Sequence, residues 1–164
     1  MNPIIEKFET AAKERNIVLE RSEDTKMVKT YGGKEVELKQ VLYRTTLQLG
    51  ERGYVPASIL FQDDDAKTKI NYQISYSRVA QVSDRNKLSD ILLALNALNA
   101  SKTGYYNFIV QPDGGISLRH VGLTTIDIES MLETFVFAGK LIGILLKDLE
   151  NMDGVEVLPV SIKQ

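Results

Sequence analysis

The chain has 164 residues, of which 43% are hydrophobic and 26% charged, the size and composition of one globular domain spanning residues 1–164. Twenty Lys plus Arg oppose twenty-two Asp plus Glu, and the net charge of −2 excludes a nucleic-acid binder driven by excess positive charge. There is no cysteine and a single histidine, His120, which excludes disulfides, thiolate metal sites, cysteine nucleophiles and any site that needs two histidines.

No basic segment followed by an apolar run stands at the start of the sequence. The longest apolar stretch, Phe135 to Leu146, is interrupted by Lys140 and falls short of the about 20 apolar residues that span a bilayer. The expectation is a cytoplasmic protein with no membrane association.

The first predicted element is a helix. Asn2 caps it, Pro3 takes the first helical position, and Ile4, Ile5, Phe8, Ala11 and Ala12 recur at helical spacing. Asn16 is its expected stop, because Asn tolerates the left-handed conformation. Strands follow from Ile17 to Val82. Met27 to Tyr31 leads into a turn at Gly32-Gly33, and a long second run continues from Val36 to Leu49. Gly50 to Gly53 marks the next turn. Pro56 is expected at the start of a strand over Ala57 to Gln62, since it cannot donate to a ladder. The tract Asp63-Asp64-Asp65 reads as a loop. Ile70, Tyr72, Ile74 and Tyr76 then alternate with polar residues, the mark of a strand with one buried face.

A second helix is expected from a cap at Ser83 or Asp84, with Leu88, Ile91, Leu92, Leu95 and Leu98 as its apolar stripe, widened by Leu93. A hairpin comes next, with Tyr106, Phe108 and Val110 on one arm and Ile116, Leu118 and His120 on the other. Pro112-Asp113-Gly114-Gly115 supplies its turn. Thr124 and Asp127 have the spacing of a capping box for the last helix, whose apolar repeat runs from Ile128 to about Glu150. Val155 to Val157 can form a short strand before Pro159. The order α-β-β-β-β-α-β-β-α, with three main helices, predicts an α+β fold on an antiparallel sheet, because no helix regularly follows each strand.

Few residues carry chemistry. Imidazole is the side chain most suited to acid–base work, but the neighbours of His120, Arg119 and Val121, point away from it on a strand, so a half-buried strand histidine is expected. The three aspartates suit a hard cation, yet they lack the Gly and closing Glu of a calcium loop and are followed by Lys67 and Lys69. The paired glycines lie between strands, without the helix N-terminus that a phosphate loop requires. Gly139 and Gly143 have GxxxG spacing, which in a chain without a span points to close packing. Asn96 and Asn99, one turn apart, are expected to bond backbone groups near the end of their helix. No cofactor or metal is implied. Phe137, Leu141 and Ile144 lie off the main stripe of the last helix, so an extra apolar face must meet another element or another subunit. Tyr72 and Tyr76 mark a sheet face suited to an extended peptide.

The segment Asp90 to Leu149 resembles the YbjN-like family of bacterial proteins, described as regulators of sensory transduction. The resemblance lies in a helix ending Leu95-Asn96-Ala97-Leu98-Asn99, the Pro112-Asp113-Gly114-Gly115 hairpin and the long amphipathic helix. That family is similar in fold to the class I chaperones of type III secretion, small acidic dimeric α+β proteins that bind extended segments of a partner. The resemblance therefore implies a type III secretion chaperone-like fold and no catalytic residues. The expectation is a non-enzymatic, homodimeric, chaperone-like or regulatory protein-binding module, with Tyr72, Tyr76, Phe137, Leu141 and Ile144 at its partner surface. The alternative is a small-molecule sensor or cryptic enzyme using Asp113, His120, Asn96 and Asn99.

Overall fold

The computed structural model describes residues 1–49, 53–64 and 66–158. The expected turn at Gly50 to Gly53 falls largely outside them, as do Asp65 and Pro159. Helix α1 (Pro3–Glu14) is followed by strands β1 (Glu20–Lys29), β2 (Glu35–Gln48), β3 (Tyr54–Asp63) and β4 (Ile70–Val82). Then come α2 (Leu88–Ser101), β5 (Asn107–Val110), β6 (Gly115–Thr124), α3 (Glu129–Glu150) and β7 (Val155–Val157). This is the expected α+β order, closed by the short final strand. The seven strands form one sheet in the order β1-β2-β3-β4-β6-β5, with β7 paired to β4. No helix among the described residues is long and apolar enough to cross a membrane.

The chain groups into two compact units. The first comprises Met1–Thr45, Ser58–Ile74 and Val121–Leu132. Here α1 turns Ile4, Ile5, Phe8, Ala11 and Ala12 inward. Phe8 meets Tyr43 and Phe61 with ring centroids 5.2 and 5.0 Å apart, and Phe61 continues to Tyr72 at 6.5 Å. Gly122 on β6 faces that last ring, and a Cβ there would stand 2.9 Å from it, so only glycine lets the strand pass. Asn16 adopts φ 57° and ends α1 as its residue type predicts. β1 begins at Glu20, seven residues before the expected Met27. It is an edge strand in full register with β2, from Glu20 opposite Arg44 to Lys29 opposite Glu35. Its exposed charges deter pairing with another chain, and they also hide the apolar alternation by which strands are recognised.

The second unit comprises Thr46–Ala57, Ser75–His120 and Glu133–Gln164. Its core holds Tyr76, Tyr106, Ile91, Leu95, Ile116, Leu118, Phe135, Ile142 and Leu145. Tyr76 stacks on Phe135 at 6.0 Å and donates to the Phe135 carbonyl at 2.7 Å, while the Tyr106 hydroxyl donates to the Thr134 carbonyl at 2.8 Å. These bonds satisfy two buried hydroxyls without breaking the helix ladder, because a carbonyl oxygen has two lone pairs.

Several boundaries differ from expectation. Pro56 is the third residue of β3, and the strand starts at Tyr54. β4 ends at Val82 as expected, but reaches it through a bulge: Arg78 has φ 53°, its N–H bonds the Ser117 hydroxyl at 3.2 Å, and Val79 and Ala80 are both buried. Asp84 does cap, but it caps a 3₁₀ turn over Arg85–Lys87 that precedes α2. The Thr124–Asp127 capping box does not form. Thr124 closes β6, and the Asp127 carboxylate accepts from the Glu129 N–H at 3.4 Å instead.

Candidate functional site

The outer surface of the second unit carries the least ordinary feature of the chain. From Ile91 to Ser101, α2 has no charged residue. Ile91 and Leu95 fill the core, and the opposite face presents Leu92, Leu93, Asn96, Ala97 and Ala100 to solvent. Leu93 is 71% exposed and Leu92 46%. The expected stripe is thus corrected. Leu92 lies outside, Leu88 is partly exposed, and Leu93 widens nothing buried. A helix apolar on both faces needs a cover, and none of the described residues supplies one.

Helix α3 has a second open stripe. Phe137 (47% exposed), Ile144 (61%) and Val136 (51%) face outward, together with Glu133, Lys140 and Lys147. Of the sequence-based partner candidates, Phe137 and Ile144 are therefore available. Leu141 is buried, because helical rotation carries it to the edge of the core-facing side. Tyr72 and Tyr76 are buried as well: the face on which they alternate is the one that packs against the core. The sequence pattern located that face without showing which side of the sheet is covered. The glycine pair on α3 divides. A Cβ on Gly139 would lie 3.3 Å from the Gln48 carbonyl and from Leu47, whereas one on Gly143 would meet no atom within 4 Å.

Asp113, His120, Asn96 and Asn99 are not drawn into one site. The Asn99 amide brackets Phe108, accepting from its N–H at 2.7 Å and donating to its carbonyl at 3.2 Å. Asp113 accepts from Gly115 N–H at 2.9 Å and pairs with Arg78. The Gly115 bond and then the guanidinium hold its carboxyl below the usual range. His120 is half-buried, with Nδ1 2.7 Å from the Tyr105 carbonyl. A carbonyl only accepts, so Nδ1 carries the proton. Asn96 stays on the exposed face of α2.

The described part of the aspartate tract, read from the sequence as a loop, is tied to the start of α1. Asp63 accepts from the Asn2 backbone N–H at 2.9 Å, and the Asn2 amide donates to the carbonyls of Asp64 and Lys67 at 2.6 and 2.8 Å. Asp64 pairs with Lys67, which lowers its pKa. No group of three or more metal-ligating side chains is assembled among the described residues. The first unit also holds an open cavity of about 440 Å³ between Glu9, Lys13, Ile17, Leu19, Arg21 and Tyr43, which the sequence did not signal. Its polar wall is already joined: Tyr43 donates to Glu9 at 2.6 Å, and Arg21 stands 3.6 Å from the same carboxylate. No model of a known protein family matches the chain, and no curated protein matches it.

Proposed function

We propose that the chain is a non-enzymatic protein-binding module of the YbjN-like type, a cytoplasmic chaperone-like or regulatory adaptor that works as a homodimer. The observation that carries this reading is the outer face of α2, where Leu92, Leu93, Ala97 and Ala100 are exposed on a helix that carries no charged residue from Ile91 to Ser101. Surface helices of globular proteins normally place charged and polar residues on that side. An apolar segment of a partner, laid along α2, would remove this surface from water, at about 25 cal/mol per Å² buried. Asn96, in the middle of the face, offers one donor and one acceptor to the backbone of such a segment.

The test is co-purification under crosslinking from the native host, with the wild-type chain and the Leu92→Asp/Leu93→Asp double variant. Both positions are exposed, so the variant keeps its circular dichroism spectrum. One partner at near-equal amount with the wild type, lost with the variant, supports the reading. Equal recovery of that partner by the variant, or an empty capture from a chain that turns over a small molecule, overturns it.

A further inference from the structure

The open stripe of α3 is complementary to itself. On a helical projection Glu133, Val136, Phe137, Lys140, Gly143, Ile144 and Lys147 fall within one side, at the i, i+3/i+4, i+7 spacing of a helix-pairing seam. All are exposed except Gly143, whose missing side chain leaves open space. A two-fold axis crossing the seam beside Lys140 and perpendicular to the helix brings an antiparallel second copy into register. Val136 then lies over the flat surface of Gly143, and Phe137 packs on Ile144. Glu133 faces Lys147. Each contact occurs twice, as an isologous interface requires. Only Lys140 meets its own copy, and its long stem lets the ammonium swing out to water.

We propose that α3 is the dimerisation helix of this protein, and that a second copy of the chain covers it antiparallel, in the register Val136–Gly143, Phe137–Ile144, Glu133–Lys147. The second copy is favoured as occupant because the apolar, small and charged positions of one stripe all find their complement in that stripe reversed. The seam runs from Glu133 to Lys147, about 21 Å of helix at 1.5 Å per residue, so the interface is at the small end of stable ones. Dissociation in the roughly micromolar range is expected. The inference rests on the homodimer of the proposed function and is independent of the α2 surface.

Sedimentation equilibrium of the full chain tests it with four proteins: wild type, Glu133→Lys, Lys147→Glu and the double exchange. Each single variant creates two like-charge contacts and is expected to weaken the dimer about tenfold. The double exchange restores it, although each helix alone has changed by the same substitutions. A fifth protein, Lys140→Leu, which removes the one like-charge contact at the axis, tightens it. A dimer of equal strength in all four proteins overturns the register and leaves the homodimer standing. A wild-type chain that is monomeric up to about a hundred times the expected dissociation constant overturns both, while partner capture through α2 is still read separately.

Discussion

The Tyr43 hydroxyl donates a 2.6 Å hydrogen bond to the Glu9 carboxylate and so ties β2 to α1. A bond to a charged group contributes about 1.5–3 kcal/mol when shielded. The Glu9 side chain is 34% exposed, so solvent reduces this to about 1 kcal/mol. Tyr43→Phe keeps the ring contacts with Phe8 and Phe61 and loses only the bond. Its unfolding free energy in urea should fall by about 1 kcal/mol.

The same phenol sets a pH dependence. Burial first, then the Glu9 bond, push the Tyr43 phenol far above its ordinary 10.0, and burial raises Tyr72 and Tyr76 too. The unfolded chain releases these protons near pH 10.0 and the folded chain retains them. The stabilisation from the raised values is therefore complete below pH 10 and is lost as pH rises above it. Urea unfolding at pH 8, 10 and 11 should show a steeper decline for wild type than for Tyr43→Phe. Parallel declines would remove Tyr43 from the account.

The two glycines of α3 should respond oppositely to one substitution. Gly143→Ala adds a methyl where no atom lies within 4 Å and replaces the residue that loses most entropy in a helix. It should gain about 0.5–1 kcal/mol. Gly139→Ala puts its methyl 3.3 Å from the Gln48 carbonyl, which belongs to backbone. Its packing strain cancels the helical gain, and it should finish at least about 1 kcal/mol below Gly143→Ala. Thermal unfolding at submicromolar protein concentration measures both.

Asn99 replaces a missing neighbour for β5, the edge strand at the far end of the sheet order from β1. Its amide occupies the N–H and carbonyl of Phe108 as an adjacent strand would. Asn99→Ala leaves that N–H without its partner, at about 1–3 kcal/mol. Asn99→Asp retains the acceptor and loses the donor, so it should fall between. Amide exchange at Phe108 should quicken in the same order. Unchanged exchange in Asn99→Ala would mean that water serves equally well.

Periodicity made the element order legible, and it made individual faces legible where one side is buried. α1 and the first half of β4 follow their patterns residue by residue. Coverage is a different property. Leu141 and Ile144 both lie off the main stripe of α3, yet one is buried and the other open, because the answer depends on how far the neighbouring elements reach around the helix. The sequence places Tyr76 on a sheet face suited to an extended peptide, where its hydroxyl would be wet. The hydroxyl instead finds the Phe135 carbonyl inside the core, and no local pattern encodes that distant acceptor. The bulge at Arg78 is hidden for a related reason. Its positive φ is supported by Ser117, thirty-nine residues away.

Asn2 shows the same division within one side chain. Its cap was legible: Oδ1 accepts from the Ile4 N–H at 2.9 Å. Its other half was not, since Nδ2 donates to Asp64 and Lys67 across more than sixty residues. The two halves predict an unusual ranking of variants. Asn2→Ser keeps a cap and loses both long-range bonds. Asn2→Ala loses the cap as well and should fall about 1 kcal/mol lower. Asn2→Asp is ordinarily an equal cap and suits the positive end of a helix. Here it points carboxylate oxygen at two carbonyls that need donors, so it should be no more stable than Asn2→Ala. Thermal unfolding of the three variants gives the order, and amide exchange at Ile4 reports the cap alone. Asn2→Asp matching the wild type would show that the β3–β4 loop does not depend on the two bonds donated by the Asn2 amide nitrogen.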